Sequence, residues 1–179
     1  MKRPASLPPA ANEQDPISGE QVYSVALVPK TKTMVTRFSH TTLFVNDQDK
    51  AFDFYVNILG FKVNTDAKME NGFRWLTLNP PEQPELEVVL MPVLHETMVK
   101  SEKNPHGFDE EAMAAFKVLL DKGIMGAGVL YTPDCRAAYA ELKSKGVDLT
   151  EPKEQFYGIE CVVKDGCGNW FSMTQPKQP

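Results

Sequence analysis

No run of the sequence reaches the roughly 18–20 consecutive apolar residues that a membrane-spanning helix needs, so a membrane partner is not expected. Basic charge is not in excess either. The 19 Lys and Arg stand against 24 Asp and Glu, a net charge of −5. That balance supplies no positive field for nucleic acid or for an anionic surface. Cysteine is scarce, with only three: Cys135, Cys161 and Cys167. An odd count without a CxxC pair argues against a disulfide framework and for a reducing, cytoplasmic setting. None stands in a His or Lys arrangement that would activate a thiolate, although Cys167, in the turn-like "KDGCGNW", is expected near the surface.

What is present is ordinary for a soluble globular chain, with 42% hydrophobic and 24% charged residues. A chain of 179 residues can bury its core without a disulfide or a structural metal. Residues 1–33 stand apart. "MKRPASLPPAANEQDPISGE" has no hydrophobic period and reads as a flexible extension. It lacks the apolar stretch of a signal peptide. "QVYSVALVP" could add an edge strand, and Met34 could mark the start of the folded domain.

From there the pattern is strand, helix, three strands, then an interruption, then the same again. "TRFSHTTLFV" mixes β-branched and aromatic residues as strands do. Asp47 is a helix N-cap, and Ala51, Phe54, Tyr55, Ile58 and Leu59 fall on one face of a helix that Gly60 closes. "FKVNTD", "FRWLTLNP" and "ELEVVLMP" follow as strands. Within residues 93–123, "DEEAMAAFKVLLDKG" is helical, acidic at its start and closed by Gly123. Then come "GAGVLYT", the cap Asp134, a helix "CRAAYAELKSK" with Cys135, Ala138 and Leu142 on one face, the closing Gly146, and the strands "VDLTEP", "GIECVVKD" and "NWFSMTQP". The two halves form an internal repeat of about 90 residues. Seven residues before Asp47 stands His40, and seven before Asp134 stands Ala127.

The stretches "SHTTLFVNDQDKAFDFYVNILGF", "RWLTLNPPEQPELEVVLMP", "YTPDCRAAYAELKSKGV" and "KDGCGNWFSMTQP" resemble the vicinal oxygen chelate superfamily of glyoxalases, bleomycin resistance proteins and dioxygenases. The resemblance covers about residues 34–176. It implies an α+β fold of two βαβββ modules, about 34–92 and 124–176, curled around one cavity with helices outside and an inserted segment at 93–123. Such modules often form homodimers. They commonly hold a divalent metal through the first and last strands of each module. Carried onto this chain, those positions are His40 and Glu87 in the first module and Ala127 and Ser172 in the second. His40 and Glu87 are sensible metal ligands. Alanine has no donor atom, and a serine hydroxyl is a poor one. The expectation is no metal, or a weakly bound divalent ion on His40 and Glu87. The same two residues could instead serve as an acid–base pair, with Arg74 as the substitute electrophile.

Aromatic residues suit a flat organic ligand. Trp75, Tyr131 and Trp170 join His40, Arg74, Glu87 and Ser172 as the expected pocket. In "FRWLTL", Phe73, Trp75 and Thr77 face one way and Arg74, Leu76 and Leu78 the other, and the sequence leaves open which set faces the cavity. The functional expectation is a small-molecule-binding protein with an incomplete metal site, sequestering a drug or metabolite. The alternative is an enzyme of the glyoxalase, isomerase or dioxygenase type that uses His40 and Glu87.

Overall fold

In the computed structural model, residues 34–93, 95–102 and 104–178 are described. The expected extension at 1–33 and the strand "QVYSVALVP" lie outside them. Two four-stranded mixed sheets carry the fold. The first contains β1 (His40–Val45), β2 (Lys62–Lys68), β3 (Arg74–Asn79) and β4 (Glu87–Pro92), ordered β1-β4-β3-β2. The second contains β5 (Met125–Tyr131), β6 (Lys153–Gln155), β7 (Gly158–Lys164) and β8 (Asn169–Pro176), ordered β5-β8-β7-β6. In each sheet the first strand of the module runs parallel to the last. This is the expected α+β arrangement of two βαβββ modules.

The same device starts both module helices. Asp47 accepts from the backbone N–H of Asp49 and Lys50, and Asp134 from those of Arg136 and Ala137. Each carboxylate meets donors that the first turn leaves without a partner. The helices then diverge. α3 (Cys135–Ser144) is regular, whereas α1 (Gln48–Phe52) gives way to a π-helical stretch over Asp53–Ile58. A single α-helix to Leu59 was expected. The wider π turn is a register change that apolar spacing does not reveal. One core cluster joins Leu43, Val45, Phe54, Tyr55, Leu76, Leu78, Val88 and Leu90 of the first module with Cys135, Leu142, Cys161, Val163, Phe171 and Met173 of the second.

Two further expectations are corrected. "VDLTEP" is not a strand: Leu149 makes only an isolated bridge to Val163, and β6 begins at Lys153, just after Pro152. Proline cannot donate to a ladder, which favours pairing beyond it. Cys167 is not at the surface but fully buried, as are Cys135 and Cys161. Burial pushes the Cys161 and Cys167 thiols up to about 12 and raises that of Cys135, so none is a ready nucleophile.

Cys167 belongs to the turn that ties the modules together. Asp165, 4% exposed, accepts from the backbone N–H of Cys167 (2.7 Å) and Asn169 (2.9 Å), from Asn169 Nδ2 (2.8 Å) and from Tyr55 Oη (2.9 Å). Asn169 Nδ2 also donates to the Phe44 carbonyl, and the Asn46 N–H donates to the Cys167 carbonyl. Burial, and then the carboxylate beside it, push the Tyr55 hydroxyl well above its ordinary range, so it stays a donor.

Candidate functional site

Strand alternation sorts each sheet into a core face and an open face. In β1, Leu43 and Val45 are buried in the core, so His40, Thr42 and Phe44 share the open face. β4 follows in register: His40 lies opposite Glu87, Thr42 opposite Val89, and Phe44 opposite Met91. Thr77 pairs with Val89, which puts Trp75 and Thr77 on the open face and leaves Leu76 and Leu78 in the core.

On that face His40 Nε2 stands 3.4 Å from Glu87 Oε1, while His40 Nδ1 contacts Ser39 Oγ at 3.0 Å. Glu87 Oε2 accepts from Asn64 Nδ2 at 2.7 Å, and the same amide reaches Thr77 Oγ1 at 3.3 Å. The sequence shows His40 and Glu87 but not Asn64. A register shift between Val63 and Thr65 turns Asn64 toward them, and no simple alternation predicts such a bulge.

Arg74 is not part of this face. Its guanidinium donates to Asp66 (2.7 and 2.8 Å) and to Asp49 at the start of α1 (2.7 Å), and it lies over the Phe52 ring. It shares strand parity with the core residues Leu76 and Leu78, so it points to the helix side. Its hydrogen bonds hold Asp66 below the usual carboxylate range. Arg74 is therefore occupied with the helix, and the expectation that it supplies an electrophile to the pocket does not stand.

The second module places different chemistry on its open face. A register shift between Gly126 and Gly128 takes Ala127 out of the ladder, and Ala127 packs against the core instead. The residue that pairs with Ser172 is Val129, so Val129, not Ala127, sits where His40 sits opposite Glu87. Tyr131 pairs with Thr174, and the exposures of Val129 and Tyr131 are 60% and 80%. Ser172 Oγ donates to Glu160 Oε2 at 2.7 Å and contacts Thr174 Oγ1 at 3.0 Å. Hydrogen bonds from Ser172, and next from Tyr157, lower the Glu160 carboxyl below its ordinary value. Trp170 lies against Gly126, where an added Cβ would stand 3.0 Å from the indole, and its Nε1 donates to the Ile124 carbonyl. Trp75, Tyr131, Trp170 and Ser172 thus lie on open faces, which decides the side that the alternation in "FRWLTL" left open, and Glu160 and Val129 join them.

The sheet topology and these two faces agree with sequence comparison. The profile of the Glyoxalase/Bleomycin resistance protein/Dioxygenase superfamily matches residues 37–173. The chain belongs to that superfamily. Among relatives of this superfamily member, the uncharacterized protein YurT of Bacillus subtilis (strain 168) is 34% identical over 137 residues, covering 75% of this chain and 95% of that one. The crystal structure of UcmS2 is 40% identical with a TM-score of 0.66, covering 79% of this chain and 99% of the other. TnmS3, described as an antibiotic binding protein from Streptomyces sp. CB03234, is 26% identical with a TM-score of 0.57, covering 81% and 99%. No helix among the described residues is long and apolar enough to cross a membrane.

Proposed function

We propose that this superfamily member is a cytoplasmic, homodimeric small-molecule-binding protein of the bleomycin-resistance type, which sequesters an organic ligand without a resident metal. The observation that carries the reading is the asymmetry of the two open faces. One offers the His40–Glu87 pair; the matching positions of the other are Val129 and Ser172. Catalytic metal sites generally keep three protein ligands. Here one oxygen of Glu87 is already bound by Asn64, and no group of three or more His, Cys, Asp or Glu suited to a metal occurs among the described residues. The donor set does not fit a tightly held divalent ion. The likeness to TnmS3 supports an organic ligand. The exposed Val129 and Tyr131 support a surface that a ligand or second copy covers. Three free buried thiols suit a reducing compartment.

Elemental analysis of protein purified without chelators, with a thermal-shift screen of planar aromatic and glycopeptide antibiotics against glutathione conjugates, tests this reading. A true ligand at 100 times its Kd is expected to stabilise by about 2.7 kcal/mol. Stoichiometric transition metal that disappears in His40→Ala would overturn it. The 3.4 Å His40–Glu87 contact favours a second reading, an enzyme of the superfamily using these residues as an acid–base pair. Turnover of a hemithioacetal or α-keto substrate, abolished by both His40→Ala and Glu87→Ala, would establish that reading instead.

A further inference from the structure

The open face of the first sheet is graded along its strands. Its first row holds His40 and Glu87, with Asn64 bound to the carboxylate. Its middle row is Thr42, Val89 and Thr77. Its last row begins with Phe44 opposite Met91. The inserted segment meets the sheet at that last row. The Phe116 ring, on α2 (Glu110–Asp121), lies edge-on 4.9 Å from the Phe44 ring, and the Phe108 ring lies 6.0 Å from it. Phe108 and Phe116 stack on each other at 5.9 Å with an interplanar angle of 19°. All three rings are half-buried, neither sunk in the core nor left in solvent.

Two features fix the insertion in this place. Leu120, the one fully buried residue of α2, packs on Gly168, where a Cβ would lie 2.5 Å from Leu120 Cδ2. Asn104 Nδ2 donates to the Thr97 and Val99 carbonyls and closes the loop that carries Phe108, beside Gly107, where any Cβ would meet Asn104 at 2.6 Å. Phe44 lies four steps along the strand from His40, which at roughly 3.3 Å per step puts the polar and aromatic ends about 13 Å apart. Between them Thr42 is exposed, while Val89 and Thr77 of the same row are buried, so the two ends connect along the β1 edge of the face.

We infer that the insertion supplies the aromatic wall of the ligand site, and that the ligand is an elongated amphipathic molecule. Its ring system rests on Phe44, Phe108 and Phe116, and a hydrogen-bond donor or cationic group meets Glu87. This rests on the small-molecule reading above and adds the ligand's shape and polarity. Aromatic pairs favour edge-on and offset stacking, the geometries that the partly exposed rings of this cluster already adopt with one another. Glu87, whose one ion-pair partner among the described residues is His40, is the acceptor at the other end.

The test uses the full chain and three probes: an anthracene carrying an alkylammonium arm long enough to span the rows, anthracene-methanol, and the alkylammonium alone. Binding is measured by fluorescence titration, and by calorimetry for the alkylammonium. The armed probe is expected to bind most tightly. Phe116→Ala, or Phe116→Leu if the alanine variant unfolds, is expected to weaken both anthracene probes by roughly tenfold. Glu87→Gln is expected to weaken the two ammonium-bearing probes and to leave anthracene-methanol unchanged. Anthracene binding that is lost in Trp75→Ala but unchanged in Phe116→Leu and Phe108→Leu would overturn the inference while leaving the small-molecule reading intact. Failure of the wild-type chain to bind either anthracene probe would also overturn it, and the antibiotic screen then judges the broader reading separately.

Discussion

The two modules share a cap, a core and a strand order, yet their open faces hold different chemistry. The first carries a histidine–carboxylate pair held by an amide, with aromatic rings at the far end. The second carries Val129, Tyr131 and a Ser172–Glu160 hydrogen bond on a bulged strand. The residues that make the fold face inward and are matched between halves. Those that face outward are free to differ, because changing them costs little packing.

The sharpest difference between the modules lies in their last hairpins. In the first, Asn79 Nδ2 closes the turn by donating to the Pro84 and Leu86 carbonyls. In the second, the buried Asp165 collects four donors. Asp165→Ala leaves the Tyr55 hydroxyl and two backbone N–H groups without partners, and is expected to cost about 3 kcal/mol or more. Asn79→Ala should cost about 1 kcal/mol, since water can replace its amide at an exposed turn. Chemical denaturation of the two variants measures the contrast, and equal losses would erase it.

Glycines offer a second contrast. Gly168 has φ +115° and no room, whereas Gly72, in the β2–β3 turn of the first module, has φ +82° and nothing within 4 Å of an added Cβ. Gly168→Ala is expected to lose about 2–3 kcal/mol through strain and overpacking against Leu120. Gly72→Ala should lose about 1 kcal/mol, from the backbone alone. Thermal unfolding distinguishes them. For the shared cap the expected difference is nil: Asp47→Ala and Asp134→Ala should each cost about 1 kcal/mol. A much smaller loss at Asp47 would mean that the π-helical stretch makes the first cap dispensable.

The smallest effect is electrostatic. Glu160 has a folded pKa below its unfolded one, so its stabilising contribution is present above the ordinary glutamate value of about 4.3 and is lost as pH falls through the lower folded value. Ser172→Ala removes the largest cause and should move the Glu160 titration upward, visible by carboxyl-resolved NMR. An unmoved titration would mean that the hydroxyl does not hold the carboxylate.

Much of this arrangement was legible before the structure. Caps, closing glycines and apolar faces act over a few residues, so Asp47, Asp134, Gly60 and Gly146 are readable as local chemistry. His40 and Glu87 were paired through the family resemblance and not by alternation, since "LEVVLM" has none; the structure brings them to 3.4 Å on one face. Bulges defeated the rest. The slip at Ala127 moved the second module's counterpart to Val129, and the slip at Asn64 hid the amide that grips Glu87. Arg74 was misplaced because strand parity alone does not say which face a helix covers. The aromatic cluster joins Phe44 to Phe108 and Phe116, each more than 60 positions away, and no local period connects them across that distance.

The hairpin around Asp165 has one more consequence, for how the chain comes to exist as a folded object. The carbonyl of Phe44 and the N–H of Asn46 are satisfied by the other half of the molecule, and so is the Tyr55 hydroxyl. Either half synthesised alone would bury these groups bare or leave its core open. The two halves of the repeat therefore depend on each other for groups that neither satisfies alone. A chain cut between His106 and Gly107 should yield two fragments that are unstructured apart and regain native signals only when mixed.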